Sequence, residues 1–193
     1  VQVHEEIIIT KKGKDVAKLV PCEEPDSIME GAAEYQTHEG RITYEEFLEL
    51  TENSEQRFEL IDGVVYNMTS PTYGHQHAVN ELHGTFYNWF KGKKCTPLTS
   101  PFDVTFFKSK DNICVVQPDV IVICDRDKTD KNGKYNGIPS LVAEVLSPSS
   151  RNKDMLKKLD LYMQCGVAEY WIIDLKNEQV LVYSFEEKDI AEF

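Results

Sequence analysis

The chain has 193 residues, 41% of them hydrophobic and 28% charged, and a formal net charge of −12. That balance fits a globular protein of one domain plus an appendage and excludes an intrinsically disordered chain. No apolar run approaches the roughly eighteen residues of a membrane span, and no basic-then-apolar signal segment opens the sequence. A cytoplasmic protein is therefore expected, one that begins at Val1 as a fragment of a longer chain would. The acid excess argues against the broad basic surface of most nucleic-acid binders and leaves two local lysine clusters, Lys91/Lys93/Lys94 and Lys153/Lys157/Lys158.

Residues 1–22 read as a β-hairpin, with Glu6–Thr10 and Asp15–Val20 flanking the Gly-containing turn Lys11–Lys14. Residues 23–42 are acidic and irregular and read as a linker, leaving 43–193 as the main domain. Thr43, with Glu46 three residues on, signals a capping box and a helix whose apolar positions are Tyr44, Phe47, Leu48 and Leu50. Phe58–Tyr66 is a hairpin turning at Asp62-Gly63, and Glu59 lies between two of its apolar residues. Simple alternation would turn Glu59 to solvent.

A helix is expected from about His75 to Lys91, with Val79, Leu82, Phe86, Trp89 and Phe90 as its apolar stripe. His75, His77 and His83 do not share a face suited to chelation. Cys95–Phe107 has strand character, and the run Val115–Ile123 reads as one buried strand carrying Asp119. Asp125–Gly137 is too polar for a core and reads as a rim. Leu141–Leu146 is a second buried strand, carrying Glu144. Ser147-Pro148-Ser149-Ser150 then turns into a helix, Asn152–Cys165, stopped by Gly166. Its expected buried stripe is Met155, Leu156, Leu159, Tyr162 and Met163, with Lys157 facing away and Lys158 near the edge. Two final strands follow, Tyr170–Asp174 and Val180–Tyr183. The five cysteines show no CxxC spacing, which argues against zinc, and three lie in or beside strands as small buried thiols would in a reducing compartment.

Two carboxylates inside apolar strands are costly unless a cation, a metal or a raised pKa compensates them. Paired acids with a nearby lysine can hold a hard divalent ion, polarise a phosphoryl group and stabilise developing charge. The wording Gln117-Pro118-Asp119-Val120, then Glu144-Val145-Leu146-Ser147-Pro148-Ser149, Asp154 and Lys158, then Glu169–Asp174, resembles the PD-(D/E)xK nucleases and, more closely, the Uma2 family. Arg57–Gly63 and His75-Gln76 belong to the same pattern, which covers roughly residues 44–185. One departure stands out: the residue two beyond Glu144 is Leu146, so the lysine comes from the following helix, at Lys158.

The resemblance implies a restriction-endonuclease-like mixed α/β sheet with helices on both faces, the hairpin being an appendage. It implies an endonuclease hydrolysing phosphodiester bonds of nucleic acid, with DNA the expected substrate and Mg²⁺ or Mn²⁺ the cofactor. Asp119 and Glu144 would hold the metal, Glu59 would assist, Lys158 would position water or stabilise charge, and His75 would border the site or a phosphate. The alternative is a catalytically inactive binding or regulatory protein on the same fold, one linked to a toxin–antitoxin system. For that link, Glu6–Pro21 resembles the hairpin of Phd/YefM-type antitoxins, and a homodimer paired through residues 1–22 is the expected assembly.

Overall fold

A computed structural model describes residues 7–11, 14–19, 41–131, 133–185 and 189–192. The chain divides into two units, Val1–Glu30 and Gly31–Phe193. In the first, strands β1 (Ile7–Lys11) and β2 (Lys14–Leu19) pair antiparallel.

The described residues of the second unit form two sheets. One is four-stranded and antiparallel, in the order β4 (Val64–Asn67), β3 (Phe58–Ile61), β7 (Asn112–Val116), β6 (Val104–Ser109). The other is six-stranded, in the order β12 (Asp189–Glu192), β11 (Gln179–Ser184), β10 (Glu169–Asp174), β9 (Leu141–Val145), β8 (Val120–Ile123), β5 (Thr96–Thr99). Among the described strands only β9 and β10 run parallel, and the connection between them carries the helix that follows Ser147–Ser150. The run Val115–Ile123, expected as one strand, is thus two strands in different sheets. The break falls at Gln117-Pro118-Asp119, where Pro118 has no N–H to continue a ladder.

Helix α1 (Tyr44–Thr51) starts at the Thr43–Glu46 capping box and buries Phe47 against Phe58, Leu60, Val65 and Val115 of the four-stranded sheet. Helix α2 (Tyr73–Phe90) begins two residues before His75, because the Thr72 hydroxyl accepts the His75 N–H and caps it. Its Val79 and Phe86 pack on Val120, Val122, Ala143 and Val145. Trp89, expected in that stripe, is exposed instead, with the Lys93 ammonium over its ring. The alternate residues of the same strands, Ile121, Ile123 and Val142, face a central core with Ile61, Cys114, Val116 and Phe106 of the four-stranded sheet. Helix α3 (Leu159–Cys165) contributes Leu161 and Tyr162 to that core and ends at Gly166, whose φ of +82° is the left-handed conformation a C-cap requires.

Two further expectations are corrected. The segment 125–137 is not merely a rim: Tyr135 is fully buried in the central core and donates its hydroxyl to Asp125 Oδ1 at 2.5 Å. A Cβ at Gly137 would lie 2.5 Å from that hydroxyl, so this close approach needs glycine. Cys95 and Cys124 are not thiols either. The antiparallel β5–β8 register, Thr96 opposite Ile123, brings them together, and they form a disulfide. Cysteine usage therefore no longer argues for a reducing compartment. No helix among the described residues is long and apolar enough to cross a membrane.

Candidate active site

Strand alternation puts three acids where the sequence makes them most costly. On β9, Glu144 shares the Val142 face and so points toward α3 and the central core. On β3, Glu59 shares the Ile61 face and points into the same core from the opposite sheet. It is fully buried, so the solvent-facing alternation is overturned: α1 covers one face of β3 and the central core the other. Asp119 sits just before β8, whose Val120 lies opposite Ala143, and this antiparallel register sets Asp119 beside Glu144. The two are tied reciprocally. The Asp119 N–H donates to Glu144 Oε2 at 3.4 Å, and the Val145 N–H donates to Asp119 Oδ2 at 2.8 Å.

The cations come from the segment between Ser150 and α3. Residues Lys153–Lys158 form a π-helical turn, and this changes which side chains face inward. Leu156 and Met163, expected in the buried stripe, are exposed, whereas Asp154 and Lys158 are buried. Lys158 is no surface partner of Asp154. Its ammonium lies 2.7 Å from Glu144 Oε1, 2.9 Å from Glu59 Oε1 and 3.6 Å from Asp154 Oδ1. Tyr162, one turn on, donates its hydroxyl to Glu144 Oε1 at 3.0 Å. Lys153 pairs with the other oxygen of Glu59, Oε2, and the Gln117 N–H donates to Glu59 Oε1 at 3.0 Å. Lys157 is exposed, as expected. On the far side, His75 Nε2 stands 3.2 Å from Asp119 Oδ2.

These contacts set the electrostatics. Burial pushes the Glu59 carboxyl up, but Lys158 and Lys153 outweigh it and hold the group at about 2. Burial pushes Glu144 up to about 8; Lys158 opposes this, but Asp119, Asp154 and Glu59 add to it. Asp154 is raised by burial as well, against Lys158 and Lys153. Burial disfavours the charge on Lys158, yet Glu144 and Glu59 hold its ammonium well above the ordinary lysine value. The hydrogen bond to Asp119 raises the His75 imidazole against the opposing effect of burial.

Asp119, Glu144, Lys158 and His75 line one cleft of about 460 Å³, together with Lys153, Asp154, Arg57, Gln117 and the Ser147–Ser150 turn. Glu59 closes the cluster from behind through the two lysines. All five residues singled out from sequence thus come together. Lys153, Gln117 and Tyr162 were missed. Lys153 carried a signal in its charge, but helical periodicity turns it away from Lys158.

Among the described residues no three His, Cys, Asp or Glu side chains converge on one metal-sized point. Two adjacent carboxylates are nevertheless the usual protein contribution to Mg²⁺, which keeps several waters. Gln117 Oε1 and Asp154 Oδ1 are buried beside the cleft with no hydrogen-bond partner, so the donor set is hard oxygen, acid-rich and under-satisfied. The residues present fit a hard divalent cation.

Comparison with known proteins gives the family and the fold. Over residues 44–192 the chain matches the profile of Uma2, a family described as "Putative restriction endonuclease". Uncharacterized protein slr1290 of Synechocystis sp. is 32% identical over 123 residues, 63% of this chain and 62% of that one, so the chain spans less than two thirds of this relative. The crystal structure of a putative nuclease belonging to DUF820, from Anabaena variabilis ATCC 29413, superposes with a TM-score of 0.65 at 24% identity, covering 79% of this chain and 84% of that one. This likeness establishes the restriction-endonuclease-like mixed α/β fold. The family match begins at Tyr44 and lends no support to the antitoxin resemblance of the N-terminal hairpin. The chain belongs to the Uma2 family.

Proposed function

We propose that the protein is a metal-dependent endonuclease hydrolysing phosphodiester bonds of DNA. The observation that carries this is the juxtaposition of Asp119 and Glu144 at the open end of β8 and β9, facing a cleft, with the Lys158 ammonium 2.7 Å from Glu144. Asp119 and Glu144 would hold Mg²⁺ or Mn²⁺, which when bound polarises a phosphoryl oxygen and lowers the pKa of a coordinated water. The protein's own part is positioning. Lys158 and the Tyr162 hydroxyl both fix Glu144 Oε1, while Oε2 accepts only the long Asp119 N–H bond at 3.4 Å. Glu59 anchors Lys158 from behind, and His75 holds the Asp119 carboxylate at the edge of the cleft. The family's description and the fold support hydrolysis of nucleic acid as the reaction class.

A second reading, a non-catalytic nucleic-acid-binding or regulatory protein, is favoured by one observation: Lys158 is buried and enclosed by three acids within 4 Å in a chain of net charge −12. Incubation of end-labelled single- and double-stranded DNA and RNA with the protein and Mg²⁺ or Mn²⁺ separates the two. Cleavage of DNA that disappears in both Asp119→Asn and Glu144→Gln is the expected outcome. Binding without cleavage under all these conditions would establish the second reading instead. A homodimer paired through residues 1–22 belongs to the same proposal, and sedimentation of a chain starting at Arg41 tests it.

A further inference from the structure

Lys153 and Lys158 grip the two oxygens of Glu59, Lys153 at Oε2 and Lys158 at Oε1. They are five residues apart. At about 100° per residue an α-helix would turn their side chains roughly 140° from one another. The π-helical turn Lys153–Lys158, with its i→i+5 bonding and wider turn, brings residues five apart toward one face and lets both reach one carboxylate.

The two lysines differ in what surrounds them. The Lys158 side chain is 3% exposed and within 4 Å of three acids, Glu144, Glu59 and Asp154. Lys153 is 14% exposed, lines the cleft with Asp119 and Glu144, and has Glu59 as its acid partner. Its ammonium also lies 5.4 Å from the centre of the Tyr66 ring, which limits the directions it can take. Glu59 is shared by both ammonium groups, but Lys158 is also held by Glu144 and Asp154 in the buried interior, whereas Lys153 has the single Glu59 contact. Of the two, Lys153 is thus the ammonium with fewer acid contacts and the one set at the cleft.

We infer that Lys153, and not Lys158, is the lysine that meets the substrate: its ammonium contacts a phosphate oxygen of a nucleic-acid strand lying in the cleft. Lys158 is a positioning residue that fixes Glu59 and Glu144. This rests on the nuclease reading and refines it by separating two roles the sequence assigns to Lys158 alone.

The test uses binding, so that it does not depend on turnover. A short fluorescent DNA duplex is titrated with the protein by anisotropy at a series of NaCl concentrations without divalent ions. Removing one phosphate contact lowers the slope of log K against log salt by about 0.9. Lys153→Met is expected to show that loss, and Lys153→Arg to retain the parent slope. Because Lys153→Met also weakens the neutralisation of Glu59, the unmodified protein is footprinted in parallel by reductive lysine methylation. Lys153 should be labelled in the free protein and protected by the duplex, with Lys158 unlabelled in both. A parent protein that binds DNA while Lys153 is labelled equally with and without duplex, or while Lys153→Met keeps the parent slope, overturns the inference and leaves the nuclease reading standing. A parent that neither binds nor cleaves any nucleic acid overturns the nuclease reading, and the inference with it.

Discussion

The two walls of the buried ion cluster, one from each sheet, hold glutamates that share one lysine yet sit at opposite ends of the carboxylate range. Glu59, on the four-stranded sheet, is held at about 2. Glu144, on the six-stranded sheet, is pushed up to about 8. Burial is nearly the same for both, at 0% and 3% exposure, so desolvation cannot be the difference. What differs is the local count of charges. Each accepts one backbone N–H, but Glu59 has two lysines, whereas Glu144 shares one lysine and has Asp119, Asp154 and Glu59 as neighbours. The Glu59 wall is a finished ion cluster. The Glu144 wall lacks a positive charge, and that deficit is where an added cation stabilises most.

The strongest way to break this contrast is to delete the cation both walls share. Lys158→Met should destabilise the protein by about 3–5 kcal/mol, the scale of stranding buried charge, read as a large fall in melting temperature. A variant as stable as the parent would mean the cluster is not an ion-paired unit. A smaller change sharpens the contrast by supplying the missing charge. Mg²⁺ or Mn²⁺ at a hundredfold excess over Kd should stabilise the native parent by about 2.7 kcal/mol. Asp119→Asn and Glu144→Gln should each abolish that shift. Metal-free Asp119→Asn should stay within about 1 kcal/mol of the parent, because an amide oxygen can still accept the Val145 N–H. A shift that survives both changes would place the metal elsewhere.

The two walls should also titrate in opposite senses. The folded-state value of Glu59 is depressed from 4.5 to about 2, so its contribution is present above 4.5 and lost as pH falls toward 2. Glu144 is raised from 4.5 to about 8, so the folded state binds the extra proton between those values. Its contribution is full below 4.5 and is lost as pH rises through about 8. Metal-free stability should therefore decline from pH 4.5 to 8, and Glu144→Gln should flatten that limb while leaving the acid limb intact. Thermal melts across pH read both limbs, and a limb unchanged in Glu144→Gln would refute the assignment. The smallest effect is expected outside both walls. Lys157→Ala, at an exposed position, should shift stability by no more than about 0.5 kcal/mol, and a larger loss would tie Lys157 to the cluster.

Much of this site was legible because charge inside an apolar run is hard to explain otherwise, which is how Asp119 and Glu144 declared themselves. Glu59 was named, but its direction was not readable. Alternation shows that neighbours face opposite sides, not that α1 and the second sheet cover both. The break at Pro118 was hidden by the apolar residues on either side, since which sheet each half joins depends on distant partners. Lys153 was hidden by the assumption of a constant 100° per residue, which a π-helical turn violates. The Cys95–Cys124 disulfide depends on the β5–β8 register across a separation of 29 residues, and no local pattern encodes that.

The crossover from β9 through α3 to β10 has a kinetic consequence. Glu144 and Lys158 are 14 residues apart in the chain, whereas Glu59 and Lys153 are 94 apart. Loop-closure entropy scales with the logarithm of that separation and makes the longer closure costlier by about 1.7 kcal/mol. The Glu144–Lys158 contact can therefore form while the chain is still largely open, and Glu59 can join only once the four-stranded sheet docks. Substitutions on the Glu144 side should slow folding, while substitutions at Glu59 should mainly speed unfolding, a split that stopped-flow kinetics would resolve. During folding, the cation shared by both walls is thus first held by the wall that is short of positive charge.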